Sequence, residues 1–153
     1  MIDRSDEWLD ARHGTDVFSP RETLGHLIQG ERELWIPRIK LILEAEQTKT
    51  FGPFDITSGD EISHTLSVEI LVQTFADLRQ ASLDELQKLT ITPEGLAKTG
   101  IHPKFGEVTL DQLLATWVAH DLYHLGQIFK SFSAPLQPRI GPWQEFLNLP
   151  HFN

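Results

Sequence analysis

Apolar positions recur at helical spacing over three long stretches of the chain, separated by polar segments rich in Gly and Pro. The first begins at Ser19, where an N-cap serine, Pro20 at the first helical position and Glu22 form a capping box. Leu24, Leu27, Ile28, Leu34, Ile39 and Leu43 then hold the helical period, predicting a helix over 20–46. Pro37 falls inside it, removing one ladder bond and clashing with the carbonyl of Glu33, so a kink or a break in two is expected. Gly25 and Gly30 point to close packing, or to room for a ligand, beside the same segment. The second stretch, with Val68, Leu71, Phe75, Leu78 and Leu86 inward, predicts a helix from about Ser63 or Ser67 to Leu89. The third opens with Thr109 and Gln112, another capping box, and is expected to run over 110–133.

The connecting segments carry weaker signals. Gln47 to Asp60 reads as a loop, Thr92-Pro93-Glu94 as a short turn ended by Gly100, and His102 to Val108 as a connector. Ahead of Ser19 only a short helix, roughly Ser5 to Arg12, is expected. After Ala134 the prolines and Gly141 predict loop, with one last turn at Pro142 to Leu147 whose Trp143 and Phe146 are expected to act as a lid. No stretch alternates with period two, so the fold class is all-α, a helical bundle forming a single domain over 1–153.

Composition narrows the function. A net charge of -9 and a pI near 5.1 argue against nucleic-acid binding. No segment approaches the roughly 20 apolar residues that span a bilayer, and the acidic, polar start does not read as a signal peptide. Cysteine is absent, which excludes disulfides, thiolate metal sites and a cysteine nucleophile, and fits a cytoplasmic protein. Any thiol chemistry needs a thiol brought by a substrate. Seven histidines are the conspicuous supply of ligands.

The third helix carries the clearest chemical pattern. Leu113, Trp117, His120, His124 and Gln127 follow one another at alternating four- and three-residue steps, one inward face that changes midway from apolar to ligand-capable. Imidazoles one turn apart can hold one metal ion, and equally can be half-buried and hydrogen-bonded without one. His26, early in the first long helix, is the candidate third ligand. Three neutral imidazoles leave a coordination position open, as catalytic rather than structural zinc does, and suit zinc, nickel, iron and copper alike. Glu33 or Gln29, on the same side as His26, is a candidate to orient a metal-bound water, with Glu33 the candidate catalytic residue. Asp121 points about 100° away from His120 and is read as a supporting group. Tyr123 is a candidate hydrogen-bond donor nearby, and His64 is read as exposed.

The segments SPRETLGHLIQGERELWIPRI, FGPFD, VTLDQLLATWVAHDLYHLGQI and GPWQEFL, from about Ser19 to Leu147, resemble the DinB-like (YfiT-like) family of metalloproteins. The resemblance implies an up-up-down-down four-helix bundle with a divalent metal held by one histidine of the second helix and two of the fourth. Carried onto this chain, these are His26, His120 and His124. It also implies a small-molecule substrate and chemistry of the kind its relatives perform with low-molecular-weight thiols, S-transfer before hydrolysis. Against the family pattern the first helix is shortened or missing, so a homodimer partner is one way to complete the bundle. The competing expectation is a non-catalytic metal- or ligand-binding bundle.

Overall fold

The structure is a computed structural model describing residues 6–15, 17–44, 47–55 and 58–147. In chain order it forms α1 (Asp6–Leu9), α2 (Pro20–Glu33), α3 (Trp35–Glu44), α4 (Ser58–Thr65), α5 (Val68–Lys88) and α6 (Pro93–Leu96). Strands β1 (Thr99–His102) and β2 (Gly106–Thr109) follow, then α7 (Leu110–Ser133) and the short C-terminal turns α8 (Gln137–Ile140) and α9 (Gln144–Leu147). Both capping boxes form: Ser19 Oγ accepts from the Glu22 backbone N–H at 3.2 Å, and Thr109 Oγ1 from that of Gln112 at 3.1 Å. In each, the N3 side chain bonds back to the N-cap backbone N–H.

Pro37 breaks the first long helix rather than merely bending it. Without the Pro37 N–H, and with its ring against the Glu33 carbonyl, the ladder stops at Glu33 and restarts at Trp35. Leu34 closes α2 at φ -108°, its N–H still donating to Gly30 at 3.0 Å. Beyond the break, α3 places Trp35, Ile36, Ile39 and Ile42 in the main core with Phe51 and the Leu110, Leu113 and Trp117 face of α7. The second predicted helix is α5, starting at the N-cap Ser67, and α4 is an additional short helix ahead of it.

Gly25 meets the expectation of close packing. A Cβ there would collide with the carbonyl oxygen of Gly59 and lie 2.9 Å from Ser63 Cβ, so α2 and α4 touch backbone to backbone. Gly59 belongs to α4 and not to the expected loop. Gly100, expected to end a turn, instead sits in β1, where a Cβ would run into the Phe51 ring. The connector from His102 to Val108 is the turn and second strand of an antiparallel hairpin, with Thr99 opposite Thr109 and Gly106 at φ 75°. Phe51 N–H donates to Ile101 O at 2.9 Å, and Ile101 N–H to Lys49 O at 2.9 Å, lashing the 47–55 segment to the hairpin. Four-residue strands are too short for a period-two pattern to register.

The N-terminal segment is docked rather than loose. Arg12 pairs with Glu22, His13 Nδ1 lies 3.0 Å from Ser131 Oγ, and Trp8 packs on Phe132 with ring centroids 6.2 Å apart. Ser5, expected in the first helix, lies outside the described residues. Trp143 and Phe146 do not form the expected lid: they touch each other and stay largely exposed. Half a turn around α7 from its histidines, Val118, Leu122, Leu125 and Phe129 form an exposed apolar stripe with the 4-3-4 spacing of a helix seam.

Replacing Gly25 by Ala is expected to destabilise the protein by about 1–3 kcal/mol, because backbone rather than a mobile side chain must yield. Gly126→Ala, where a Cβ meets nothing within 4 Å, is expected to stabilise α7 by up to about 1 kcal/mol. Thermal melts of the two variants beside the wild type check both signs.

Candidate metal centre

The site is assembled where α2 crosses α7. His120 and His124 stand one turn apart on the inward face of α7, and α2 brings His26 across to meet them. The His26 and His120 Nε2 atoms are 3.0 Å apart, and those of His124 and His120 are 3.1 Å apart. His26 and His124 are buried, and His120 is half-buried. Phe18 lies over His26 at 5.3 Å between ring centroids, Phe54 edges His26 at 6.0 Å, and Trp35 edges His120 at 5.2 Å. The cluster is therefore walled by aromatic rings.

Orientation comes from Gln127, on the same stripe one turn beyond His124. Its Oε1 lies 2.6 Å from His124 Nδ1, which fixes the proton there and leaves the Nε2 lone pair aimed into the cluster. Gln127 is held in turn by donating to the Tyr123 hydroxyl at 3.3 Å, so Tyr123 supports the site as an acceptor. This relay is what a metal-ligating histidine commonly has on its far nitrogen.

The imidazoles are neutral over a wide range. Burial, then the charge of His124, lowers His26 to about 4. His120 is lowered to about 4 by burial first, then by His124 and His26. His124 is lowered by burial, with Gln127 and Asp121 opposing. Neutral imidazole is the ligating form.

The donor set fits a divalent ion. Three nitrogens on a tetrahedral zinc at about 2.0–2.1 Å stand about 3.3 Å from one another, close to the separations between His120 and its two neighbours. Protons alone serve the arrangement badly: His120 Nε2 faces two other ring nitrogens, while Nδ1 of His26 and of His120 is buried without a partner among the described residues. One cation accepts all three lone pairs and leaves each Nδ1 its proton.

A second layer fixes the rotation of α7. Arg79 of α5 donates to Asp121 at 2.6 and 3.0 Å and to Glu31 at 2.8 Å, and Glu31 Oε1 also accepts from Trp117 Nε1 at 3.1 Å. Burial opposes the Arg79 charge, but the bonds to Asp121 and Glu31 outweigh it and hold its pKa above the ordinary value. Asp121 is thus a supporting group, as its angle on the helix suggested. Glu31 and Arg79 went unnoticed in the sequence, although Glu31 falls four residues after Leu27 and Arg79 four after Phe75, both at inward spacing.

Other sequence candidates fall elsewhere. Glu33 is exposed at the end of α2, outside the cluster. It shares a side with His26, but seven residues of helix carry it about 10 Å along the axis, and the break at Leu34 ends α2 there. The candidate catalytic role is corrected accordingly. Gln29 is buried, and its Nε2 has no partner among the described residues. His64 is exposed, 3.9 Å from Glu22 and outside the cluster. Beside His120 a cavity of about 240 Å³ opens between α3, the hairpin and α7, lined by Trp35, Phe51, Val108 and Leu113 among others.

The family model of the DinB superfamily matches residues 3–128. The chain belongs to the DinB superfamily. Its all-α fold is the four-helix bundle expected of that family, with α1 confined to Asp6–Leu9. Among solved structures it is similar to YfiT from Bacillus subtilis, described as a probable metal-dependent hydrolase with an unusual four-helix bundle topology. The two share 24% identity at a TM-score of 0.71, over 87% of this chain and 75% of that one. No curated protein matches. At this identity the likeness to YfiT speaks for the fold. No helix among the described residues is long and apolar enough to cross a membrane.

Gln127→Leu is expected to weaken zinc binding about 10- to 100-fold by freeing the His124 ring, as read by competition with a chromophoric chelator. In the metal-free protein the folded imidazoles refuse protons that the unfolded chain takes up below its ordinary value of 6.5. Stability is therefore expected to be full above pH 6.5 and to fall as pH drops toward 4. Melting curves across that window should show a shallower loss in His26→Gln.

Proposed function

We propose that this DinB superfamily member is a metal-dependent enzyme whose divalent ion, zinc, nickel or iron, is held by His26, His120 and His124. The observation that carries the reading is the convergence of three neutral imidazoles beside an apolar cavity that His120 also lines. When bound, the ion supplies a Lewis acid that lowers the pKa of a thiol or water at its open position. The protein's own contribution is orientation and exclusion of water. Gln127 holds the His124 tautomer, the Arg79 clamp fixes the rotation of α7, and Phe18, Trp35 and Phe54 shield the ring nitrogens.

Transfer of a low-molecular-weight thiol to a small electrophile is the first choice, and hydrolysis the second. No carboxylate among the described residues joins the imidazoles, so the proton of a bound thiol or water would pass to solvent, and the more acidic thiol would give it up the more readily. The chain has no cysteine, so the thiol arrives as a co-substrate.

The protein is further proposed to act as a cytoplasmic homodimer, paired through the exposed stripe of α7. Between Leu114 and Phe129 this face carries one charge, Asp121, and that is already held by Arg79. An antiparallel pair sets Val118 against Phe129 and Leu122 against Leu125 of a second copy. Each side chain leaves on the order of 100 Å² in solvent, so with the adjoining alanines two faces bury on the order of 1,000 Å², the lower bound of a specific interface.

The enzyme reading is tested by metal content and turnover together. Mass spectrometry is expected to find near one ion per chain, lost in His120→Ala. Zinc- and nickel-loaded protein is expected to consume an alkyl chloride or epoxide in the presence of a small thiol. Stoichiometric metal without turnover over a broad panel would leave the binding-bundle alternative standing. For the assembly, sedimentation is expected to give twice 17.4 kDa for the wild type and a monomer for Leu122→Glu. A monomeric wild type at tens of micromolar would refute the pairing.

A further inference from the structure

The cavity beside the imidazoles has an apolar body and a polar mouth. Trp35, Phe51, Val108 and Leu113 wall it, His120 reaches it from the metal side, and Arg38 and His102 also line it. Its 240 Å³ corresponds to about eight waters at roughly 30 Å³ each, the room of a small organic molecule.

Arg38 is placed differently from four other cations of the chain. Arg12, Arg21, Lys40 and Arg79 each sit on a carboxylate. Arg38 has none among the described residues: its guanidinium lies over the Phe51 ring at 4.9 Å, and its polar partner is the Gly52 carbonyl, at a long 3.5 Å. It also lines a second recess, with Gly52, Pro53 and Phe54, so the guanidinium separates two openings. Burial works against its charge, a cost that an incoming anion would relieve.

His102 lines the same two openings, and the hairpin turn fixes its tautomer. Its Nδ1 accepts the backbone N–H groups of Lys104 at 3.1 Å and Phe105 at 3.3 Å, so the ring proton resides on Nε2. Phe105 stacks on the ring at 4.6 Å between centroids and holds its plane. The hairpin thus presents a neutral imidazole N–H as a donor beside an uncompensated guanidinium.

We infer that this cavity binds a small organic carboxylate with an apolar body, its anionic end held by Arg38 and the His102 Nε2–H and its body directed along Trp35 and Leu113 toward His120. The inference deepens the proposed function and rests on it for what then happens to the ligand, whereas binding itself needs only α3, the hairpin and α7. A carboxylated substrate would be anchored at one end and offered to the metal side at the other. Neutral compounds of the same shape would lack the anchor.

The test uses 3-phenylpropionate and its neutral amide, titrated calorimetrically into the full chain with zinc and again with chelator. The acid is expected to bind at least about tenfold more tightly than the amide, and Arg38→Gln is expected to abolish that preference while leaving zinc content unchanged. His102→Phe, which keeps the stacked ring but not the donor, is expected to lower acid affinity several-fold. Equal binding of acid and amide by the wild type, or no binding of either, overturns the inference. So does an acid preference that survives Arg38→Gln or requires zinc, because the anion would then sit on the metal. Arg38-dependent binding in chelated protein upholds the inference even where the metal-dependent reading fails. Metal binding without acid preference gives the reverse result.

Discussion

The Arg79 clamp is the constraint on which the geometry of this protein turns. One guanidinium from α5 holds Asp121 of α7 and Glu31 of α2, and Glu31 in turn holds the Trp117 indole. Glu31 has no exposed side-chain surface, so Arg79 and Trp117 supply to its Oε1 the polar contacts that water would otherwise make. Trp117 and Asp121 lie before and after His120 in the sequence of α7. Fixing both leaves α7 little freedom to rotate, and a rotation of one residue would carry His120 and His124 about 100° away from His26. The convergence of three imidazoles is thus a consequence of a salt bridge that contains none of them.

The same clamp explains why a bundle with so short an α1 can hold a buried polar cluster. Ordinary apolar packing is concentrated at the other end, where α3, Phe51 and the start of α7 meet. Around the imidazoles the packing is aromatic and polar, and the directional contacts of Arg79, Gln127 and Tyr123 supply the specificity that a jigsaw of aliphatic groups supplies elsewhere. The close backbone contact of Gly25 with Gly59 adds a further fixed distance, just before His26.

Much of this was legible in the sequence, for identifiable reasons. Helix starts were readable because caps are local: Ser19, Pro20 and Glu22, or Thr109 and Gln112, state their geometry within four residues. The alternating spacing from Leu113 to Gln127 placed His120 and His124 on one inward face. His26, early in the first long helix, was readable as the candidate third ligand, and the DinB-like resemblance pointed to the same residue. What stayed hidden depends on contacts across the chain. The hairpin owes its existence to Lys49 and Phe51 bonding Ile101, and to a Gly100 that makes room for a phenylalanine about fifty residues earlier. Glu33 misled because angular position on a helix says nothing of distance along it. Arg38 and His102 become neighbours only once α3 and the hairpin are folded together.

The break at Leu34 has an implication for how such a protein can change. Because Pro37 divides one predicted helix into two, His26 rides on α2 while Trp35 and Arg38 ride on α3. The third imidazole and the cavity wall are therefore borne by separate helices joined at a single residue. Drift at Arg38 and in the hairpin can reshape what the cavity accepts while Trp35 stays against His120, so the far end of the cavity can vary around an unchanging cluster of imidazoles.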